Sequence, residues 1–559
     1  MRNYKYYLVS LLFVGLFILS ACSFRVFENQ EDKETTQAMG NTNEDKPKLK
    51  IQLMEQKELA SLDPADSIQT VSFNALVNSM EGLYRYGVNN QLELGMAERH
   101  PTISNNGKTY EFTIKEDAYW SNGNPVTSYD FEFAWKRMVD PENQAFYRYL
   151  FDDVILNGSK ILQGKMNPDE LGIESVDAKT LRVNLEQETA HLDTLLTLPA
   201  FLPINEKFYN ETGNEFATRS DKTLFNGPFV IEDWSNIENE WTLRKNSNYW
   251  DKKNVKLDEA VFKVVKTSET ALDYFMQNKL DRAVISKPES KTIDNNTFVK
   301  KEPTSATMYL KFNMKETKEF NPLINKKLRK ALGIAINNRQ FVSSVLNNNA
   351  VPSTGLIPTG LSNHPTTGID FREDSSSYLS HDVREARSLF QLALKELEQE
   401  EITLEIVADD TPIAIDSLVF LQRNMMRTLP GLNINIKSVS FKQRMILDET
   451  NNYSIQLGGW GADYKDPVTF LELWTSQNPN NTSGYSNTQF DDILQKAKLT
   501  IDKNKRWDYL KEAEKTLFDN PPLVPLYQPI TTIFEKEFFD NIITIHDGQT
   551  ISLKYVYRK

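Results

Sequence analysis

One cysteine, Cys22, stands in a chain of 559 residues, so no internal disulfide can form. Histidine is almost as scarce. His100, His191, His364, His381 and His546 are scattered, without the His-Glu-x-x-His spacing or any ligand cluster that would hold a metal. The Gly-x-Ser-x-Gly elbow of a serine hydrolase is absent. The glycine run at residues 458–461, Gly-Gly-Trp-Gly, lacks the Lys-Ser/Thr pair of a phosphate loop. Basic residues are in deficit, 64 Lys and Arg against 77 Asp and Glu, for a formal net charge of −13. That balance argues against nucleic acid or an acidic membrane surface as the ligand. After the first twenty residues no apolar run is long enough to cross a bilayer, and no internal repeat occurs. These absences leave no candidate catalytic residue, metal site or cofactor site, and a non-enzymatic role is expected.

What is present begins with an export signal. Arg2 and Lys5 precede an apolar run over residues 7–18 broken only by Ser10 and Gly15, and Leu19-Ser20-Ala21-Cys22 follows. A charged start, a short apolar core and small residues before a cleavage point form a secretory signal over residues 1–21. The tetrapeptide resembles the lipobox of bacterial lipoproteins, in which the cysteine becomes the lipid-modified first residue. That resemblance gives the lone Cys22 a purpose as a lipidation site. Residues 22–48 add a polar tether rich in Glu, Asp, Lys, Asn and Thr. The expected location is the outer face of a bacterial cytoplasmic membrane, with the lipid as the membrane contact.

From about Leu49 onward roughly 510 residues remain, enough for about three domain-sized units. Residues 48–54 alternate polar and apolar and predict a strand; Phe73, Leu76, Val77, Met80 and Leu83 share one helical face and predict a helix over 73–83. Residues 108–114 predict a strand. Thr127 or Ser128 is placed to cap a helix through Phe131, Ala134, Trp135 and Met138. Further strands are expected at 180–185, 241–244 and 259–265. Farther on, the pattern predicts a helix around Leu328 to Ile336, another after Ser380 as its cap, a strand at 402–407, a helix at 415–426 and a strand at 432–439. Alternating helices and strands argue for a largely parallel sheet. A strand at 453–457 would then carry Gly458, Gly459, Trp460, Gly461 and Asp463 at its C-terminal end, and open α/β sheets bind ligands beyond those ends. Glycines there expose peptide N–H and C=O groups to an incoming strand, Asp463 suits a positive charge, and Trp460 suits a cover over it. The competing reading of Asp463 is a turn cap, and Asp466 before Pro467 reads as an ordinary turn residue.

Several segments carry a resemblance. Residues 225–229 (Phe-Asn-Gly-Pro-Phe), Asp233-Trp234 and residues 243–250 are one set. Residues 106–112 with 120–127, residues 321–332, and residues 521–527 are the others. In this order they resemble the family-5 extracellular solute-binding proteins, the oligopeptide-binding receptors of ABC importers. The resemblance implies an α/β fold of two lobes, of the class II periplasmic-binding-protein type, with a third domain added to the first lobe. Residues 49–82, 215–310 and 525–559 are expected to form the first lobe's core, 83–214 the extra domain and 311–524 the second lobe.

The same resemblance implies an oligopeptide buried between the lobes, its backbone paired with Gly459, Trp460 and Gly461 on one side. On the other side it would pair with a first-lobe segment near Ile68, Gln69, Thr70 and Val71. Asp463 matches an aspartate that holds the ligand's α-ammonium. Tyr147 or Phe146 falls near an aromatic that closes over the terminus. A monomer is expected, with the permease and ATPase subunits of an importer as partners. Leu457 stands where some members carry a basic residue for the ligand carboxylate, and Lys315 aligns loosely with another such position. Loss of that clamp favours longer ligands. Two readings of the ligand stay open: general oligopeptide uptake, or a dedicated receptor for a secreted signalling peptide of pheromone type. A metal chelate or sugar lacks the ammonium that Asp463 would hold, and an adhesin has no use for a glycine edge beside a carboxylate.

Overall fold

The computed structural model describes residues 48–66, 70–88, 91–285, 298–316, 320–478, 480–545 and 550–559. Cys22, the signal and most of the tether lie outside these residues, as do Ile68 and Gln69. The alternating segment at the start forms β1 (Lys50–Glu55), which buries Ile51 and Leu53. Helix α1 (Thr70–Ser79) begins and ends earlier than its apolar spacing predicts. The Ser79 carbonyl, which would bond the Leu83 N–H in a longer helix, instead accepts from the Gly227 N–H at 2.9 Å. Only glycine fits there, because a Cβ on residue 227 would lie 2.6 Å from Ser79 and Met80 backbone atoms.

Strands β2 (Thr102–Ser104) and β3 (Thr109–Thr113), helix α2 (Ser128–Val139), and strands β4 (Ile173–Asp177) and β5 (Thr180–Asn184) form the next layer. The four strands pair antiparallel in the order β2-β3-β5-β4. The Thr127 N–H donates to the Asp130 carboxylate at 2.8 Å, fixing the start of α2. Its buried face is the predicted one, Phe131, Ala134, Trp135 and Met138.

The chain then returns to β1. Strands β6 (Phe229–Glu232), β7 (Glu240–Lys245) and β8 (Glu259–Val264) complete a sheet in the order β1-β8-β7-β6, with β8 parallel to β1 across 209 residues of sequence. Strands β9 (Arg282–Ile285) and β10 (Val299–Pro303) belong to a second sheet of this lobe. The chain next passes through Thr304 and Ser305 straight into β11 (Ala306–Phe312) of the other lobe.

That lobe contains α3 (Lys326–Ile334), β12 (Val351–Pro352), α4 (Val383–Glu396), β13 (Ile402–Asp409), α5 (Pro412–Thr428) and β14 (Leu432–Val439). Helix α6 (Phe441–Glu449), β15 (Ile455–Gly461), α7 (Lys503–Asp519) and β16 (Leu523–Gln528) complete it. Its six strands are ordered β12-β16-β11-β15-β13-β14. Strand β13 runs parallel to β14 and β15, but β11 is antiparallel to β15 and β16, and β12 to β16. The sheet is therefore mixed, where the alternation of elements predicts a largely parallel one. The reason is connectivity: β11 enters directly from β10, and β16 leaves through Pro529 into β17 (Ile530–Glu535), so neither uses a helical crossover. The two crossings lie side by side. Thr304 N–H donates to Pro529 O at 2.9 Å and Gln528 Nε2 to Thr304 O at 2.8 Å, which ties them into one hinge. The cap of α4 also differs from expectation: Asp382, not Ser380, accepts the N–H groups of Arg384 and Glu385 at 2.8 and 3.0 Å. A carboxylate beside the helix start satisfies two orphan donors there.

Two of the recognised segments meet through one side chain. Buried Arg329, within residues 321–332, donates to the carbonyls of Pro521, Leu323 and Ile324 at 2.8, 2.6 and 2.8 Å. Similarly, Tyr249 Oη and Trp250 Nε1 each donate to the Glu81 carboxylate at 2.6 Å, beside Arg85 Nη1 at 2.7 Å. These motif residues hold the lobes' cores in shape.

Candidate functional site

The C-terminal ends of β13, β14 and β15, the start of β11 and the end of β16 share one edge of the six-stranded sheet. There β15 is paired on one side only. Strand β11 covers it through Gly461, whereas β13 pairs only with Ile455 and Gln456 before diverging. Arg444 fills the fork, donating from Nε to Asp409 at 2.6 Å and from Nη1 to Gln456 at 3.3 Å. Among the described residues no strand lies on the far side of residues 458–461. The sequence reading ends the strand at Leu457; the structure continues it through all three glycines.

Backbone parity decides which groups face that open side. Ala462 N–H donates to Ser305 O at 2.8 Å, so residue 462 points toward β11. In an antiparallel ladder alternate residues share a direction, hence Trp460 and Gly458 also point to β11 while Gly459 and Gly461 present N–H and C=O to the open side. Both are exposed. At Gly459 the missing side chain is required, since a Cβ would come within 2.3 Å of Met308 Sδ and 2.9 Å of Thr307 O. Around Gly461 no atom of the described residues lies within 4 Å of that position.

Two residues beyond the strand, Asp463 is partly buried. Its N–H donates to Thr469 Oγ1 at 3.1 Å, and its Oδ2 accepts from Tyr149 Oη at 2.8 Å. No Lys, Arg or His nitrogen among the described residues lies within ion-pair distance of it. Burial pushes the Asp463 carboxyl up to about 7; nearby Glu472 adds to the rise, and the bonds from Tyr149 and Thr469 oppose it. Glu472 is itself raised by burial, although Lys498 and the Tyr464 hydroxyl, 2.6 Å away, favour its ionised form. Asp463 thus sits in a low-dielectric recess with hydrogen bonds but no counter-charge. The turn cap is its neighbour: Asp466 Oδ1 accepts the Val468 N–H at 3.0 Å. Beyond the ordinary turn role expected of it, Asp466 also takes both Arg506 Nη groups, at 2.8 and 2.9 Å.

Tyr149 is the residue the sequence reading missed. It lies in the 3₁₀ turn Phe146–Phe151, two positions after Tyr147. Tyr147 packs on Phe73 of α1 and on Tyr149, with ring centroids 5.5 and 6.2 Å away, so it supports the contacting tyrosine. Phe146 is exposed and stacks edge-on against Tyr147 at 4.9 Å. Trp460 packs against the large core; its Nε1 is buried with no hydrogen-bond partner among the described residues.

A cavity of about 750 Å³ opens at the same edge, between the lobes. Thr70 and Val71 line it, as does Asn74. They do so as the first turn of α1, not as the extended pairing segment predicted, and a helical backbone has its later N–H groups bonded internally. The second lobe contributes Ile413 and Phe441, neither of which carried a sequence signal, and Tyr527, the last residue of the recognised segment 521–527. Leu457 is buried in the second lobe's core. Lys315 follows β11 at its far end, opposite Asp463, because β11 starts at the cleft with Ala306; it is removed as a carboxylate clamp. Among the described residues no group of three or more His, Cys, Asp or Glu is placed to hold a metal, and no helix is long and apolar enough to cross a membrane.

Residues 91–482 match the model of bacterial extracellular solute-binding proteins, family 5 Middle. The chain is 29% identical over 562 residues to the oligopeptide-binding protein OppA of Bacillus subtilis, covering 98% of each. Among solved structures, Listeria monocytogenes OppA bound to peptide aligns with a TM-score of 0.77 and 37% identity over 92% of this chain and 99% of that one. The pheromone receptor PrgZ aligns with a TM-score of 0.77 and 31% identity, over 92% of this chain and 100% of its own. An open strand edge at a two-lobed cleft, set in this sequence framework, identifies the chain as a member of the family-5 bacterial extracellular solute-binding proteins, a family of binders and not of enzymes.

Proposed function

We propose that this protein captures oligopeptides in the cleft between its lobes and delivers them to an ABC importer. The peptide lies along β15, its backbone bonding Gly459 and Gly461, and its α-ammonium pairs with Asp463. Tyr149 completes the anchor from the other lobe. The observation that carries this reading is Asp463: a carboxylate raised to about 7, without an ion-pair partner among the described residues, at the end of an unpaired strand edge. A ligand ammonium supplies the missing charge. The similarity to peptide-bound OppA supports the same ligand class. Lipidation of Cys22 holds the receptor at the outer face of the membrane, beside the permease subunits that read lobe closure and couple it to ATPase subunits on the cytoplasmic side.

A second reading, a dedicated receptor for a secreted signalling peptide, is favoured by the similarity to PrgZ. Both readings share the anchor and differ in breadth. Thermal-shift titration of the purified protein, stripped of carried-over ligand, against free and N-acetylated peptides of graded length tests them. Ligand at a thousand times its Kd stabilises the fold by about 4 kcal/mol. Stabilisation by many free peptides, lost on acetylation, is expected for general uptake; stabilisation by very few marks a dedicated receptor. Equal stabilisation by free and acetylated peptides refutes the anchor.

A further inference from the structure

The direction of the bound chain follows from two landmarks on β15. Asp463 lies beyond its C-terminal end, whereas Gly458, at the other end of the open edge, is approached by Arg444 of α6, whose Nη1 would stand 3.2 Å from a Cβ there. Phe441 begins that same helix and lines the 750 Å³ cavity. A peptide whose amino end is held at Asp463 therefore runs antiparallel to β15, past Gly461 and Gly459, and toward the cavity. At about 3.3 Å per residue, four strand positions span roughly 13 Å, which places the cavity from about the third peptide residue onward.

Apolar side chains reach the walls from both sides, between polar ones that include Gln56, Asn74, Thr304 and Asn348. Val71, Val284 and Ile285 come from one lobe, and Ile413, Phe441 and Tyr527 from the other. Phe441 is 61% exposed, with the Arg444 guanidinium 5.2 Å from its ring centroid, so the rest of the ring is open to a ligand side chain. The charged residues on the walls are Glu55, Lys57 and Arg282. Glu55 accepts from Asn74 Nδ2 at 2.5 Å, and Arg282 Nε donates to Glu535 at 3.2 Å, so both are already engaged. Lys57 is exposed. The volume equals that of about 25 water molecules, and an apolar side chain would displace those lying against Phe441, Ile413 and Val284, which bond them poorly.

We infer that this receptor selects peptides by apolar side chains from about the third residue onward, while the first two residues are held through the ammonium and the backbone. This selectivity rests on the proposed peptide-binding function and narrows its substrate class to hydrophobic oligopeptides. Burying one methylene in such walls changes affinity about fourfold.

The test is a homologous series in an otherwise fixed free peptide, alanine, aminobutyrate, norvaline and norleucine, placed at position 1 or at position 4 and titrated calorimetrically against the purified protein. The expected result is a steady gain of about fourfold per methylene at position 4, with an increasingly negative heat-capacity change, and a much shallower trend at position 1. Phe441→Ser and Ile413→Asn should each flatten the position-4 series; Phe441 is exposed, so the first variant keeps its fold. A flat series at position 4, with tight binding that N-acetylation abolishes, overturns the selectivity and leaves peptide capture standing. Failure of every peptide to bind overturns both.

Discussion

Ligand affinity should fall steeply as the medium is acidified below neutrality, and the slope should belong to Asp463. This carboxyl is pushed up to about 7 because burial disfavours its charge. Only the ionised form pairs with a ligand ammonium, so at lower pH binding must first expel a proton. With one such group, affinity drops about 25-fold between pH 7.5 and pH 5.5. The ligand's own α-amino group, near 7.7 to 8.0, loses its charge above that range, so affinity peaks between about pH 7 and 8. Calorimetric titrations in buffers of different ionisation heat should detect release of nearly one proton per ligand at pH 5.5. Asp463→Asn should weaken binding at pH 7.5 by about 3–5 kcal/mol, two to three and a half powers of ten, and flatten the acid limb. The sign for stability is opposite. A raised carboxyl binds more protons in the folded state, so in the absence of ligand this group lowers stability as pH rises from about 4 through 7. An affinity that stays level from pH 5.5 to 7.5, or an acid limb unchanged in Asp463→Asn, would refute the assignment.

Tyr149→Phe removes the hydroxyl that favours the ionised form of Asp463; the acid limb should shift to higher pH and affinity should fall by about 1.5–3 kcal/mol, read by the same titrations. Gly459→Val should abolish binding and lower the melting temperature, since its side chain meets Met308 and the Thr307 carbonyl; Gly461→Ala, with open space around it, should leave the melting temperature unchanged. Asp466→Asn leaves the buried Arg506 guanidinium half-paired and should cost about 3–5 kcal/mol in denaturant unfolding. Arg506 outweighs burial and holds Asp466 below the usual carboxylate range, so that part of the stability is full above about pH 4 and fades as the carboxyl is protonated in acid.

Most elements were legible because their residues carry a period. The alternation in β1, β3 and β13 and the apolar faces of α2 and α3 bury what the pattern says they bury, whereas α5 forms where expected but leaves Ile415 and Met426, the ends of the predicted helix, exposed. Boundaries moved where a distant group competed for a backbone bond, as Gly227 does at the end of α1. The parallel sheet was misread because strand direction depends on how the chain re-enters the lobe, which local pattern does not encode. Of the candidate site, Gly459, Gly461 and Asp463 were visible because three glycines and a carboxylate within six residues have few local uses. Tyr149 was not, since one tyrosine among four aromatics in six residues has no periodic signature.

Sequence alone determined the chemistry on offer: a backbone edge freed by missing side chains and a carboxylate beside it. These are local properties, written in residue types within a few positions of each other. Tertiary structure decided what that chemistry faces. It set β13 diverging after Gln456 so that the edge stays open, brought Tyr149 to Asp463 across 314 residues, and lined the cavity with Ile413 and Phe441. Those outcomes depend on strand order and lobe closure, where contacts join residues hundreds apart and a residue's type says little about which partner it will meet.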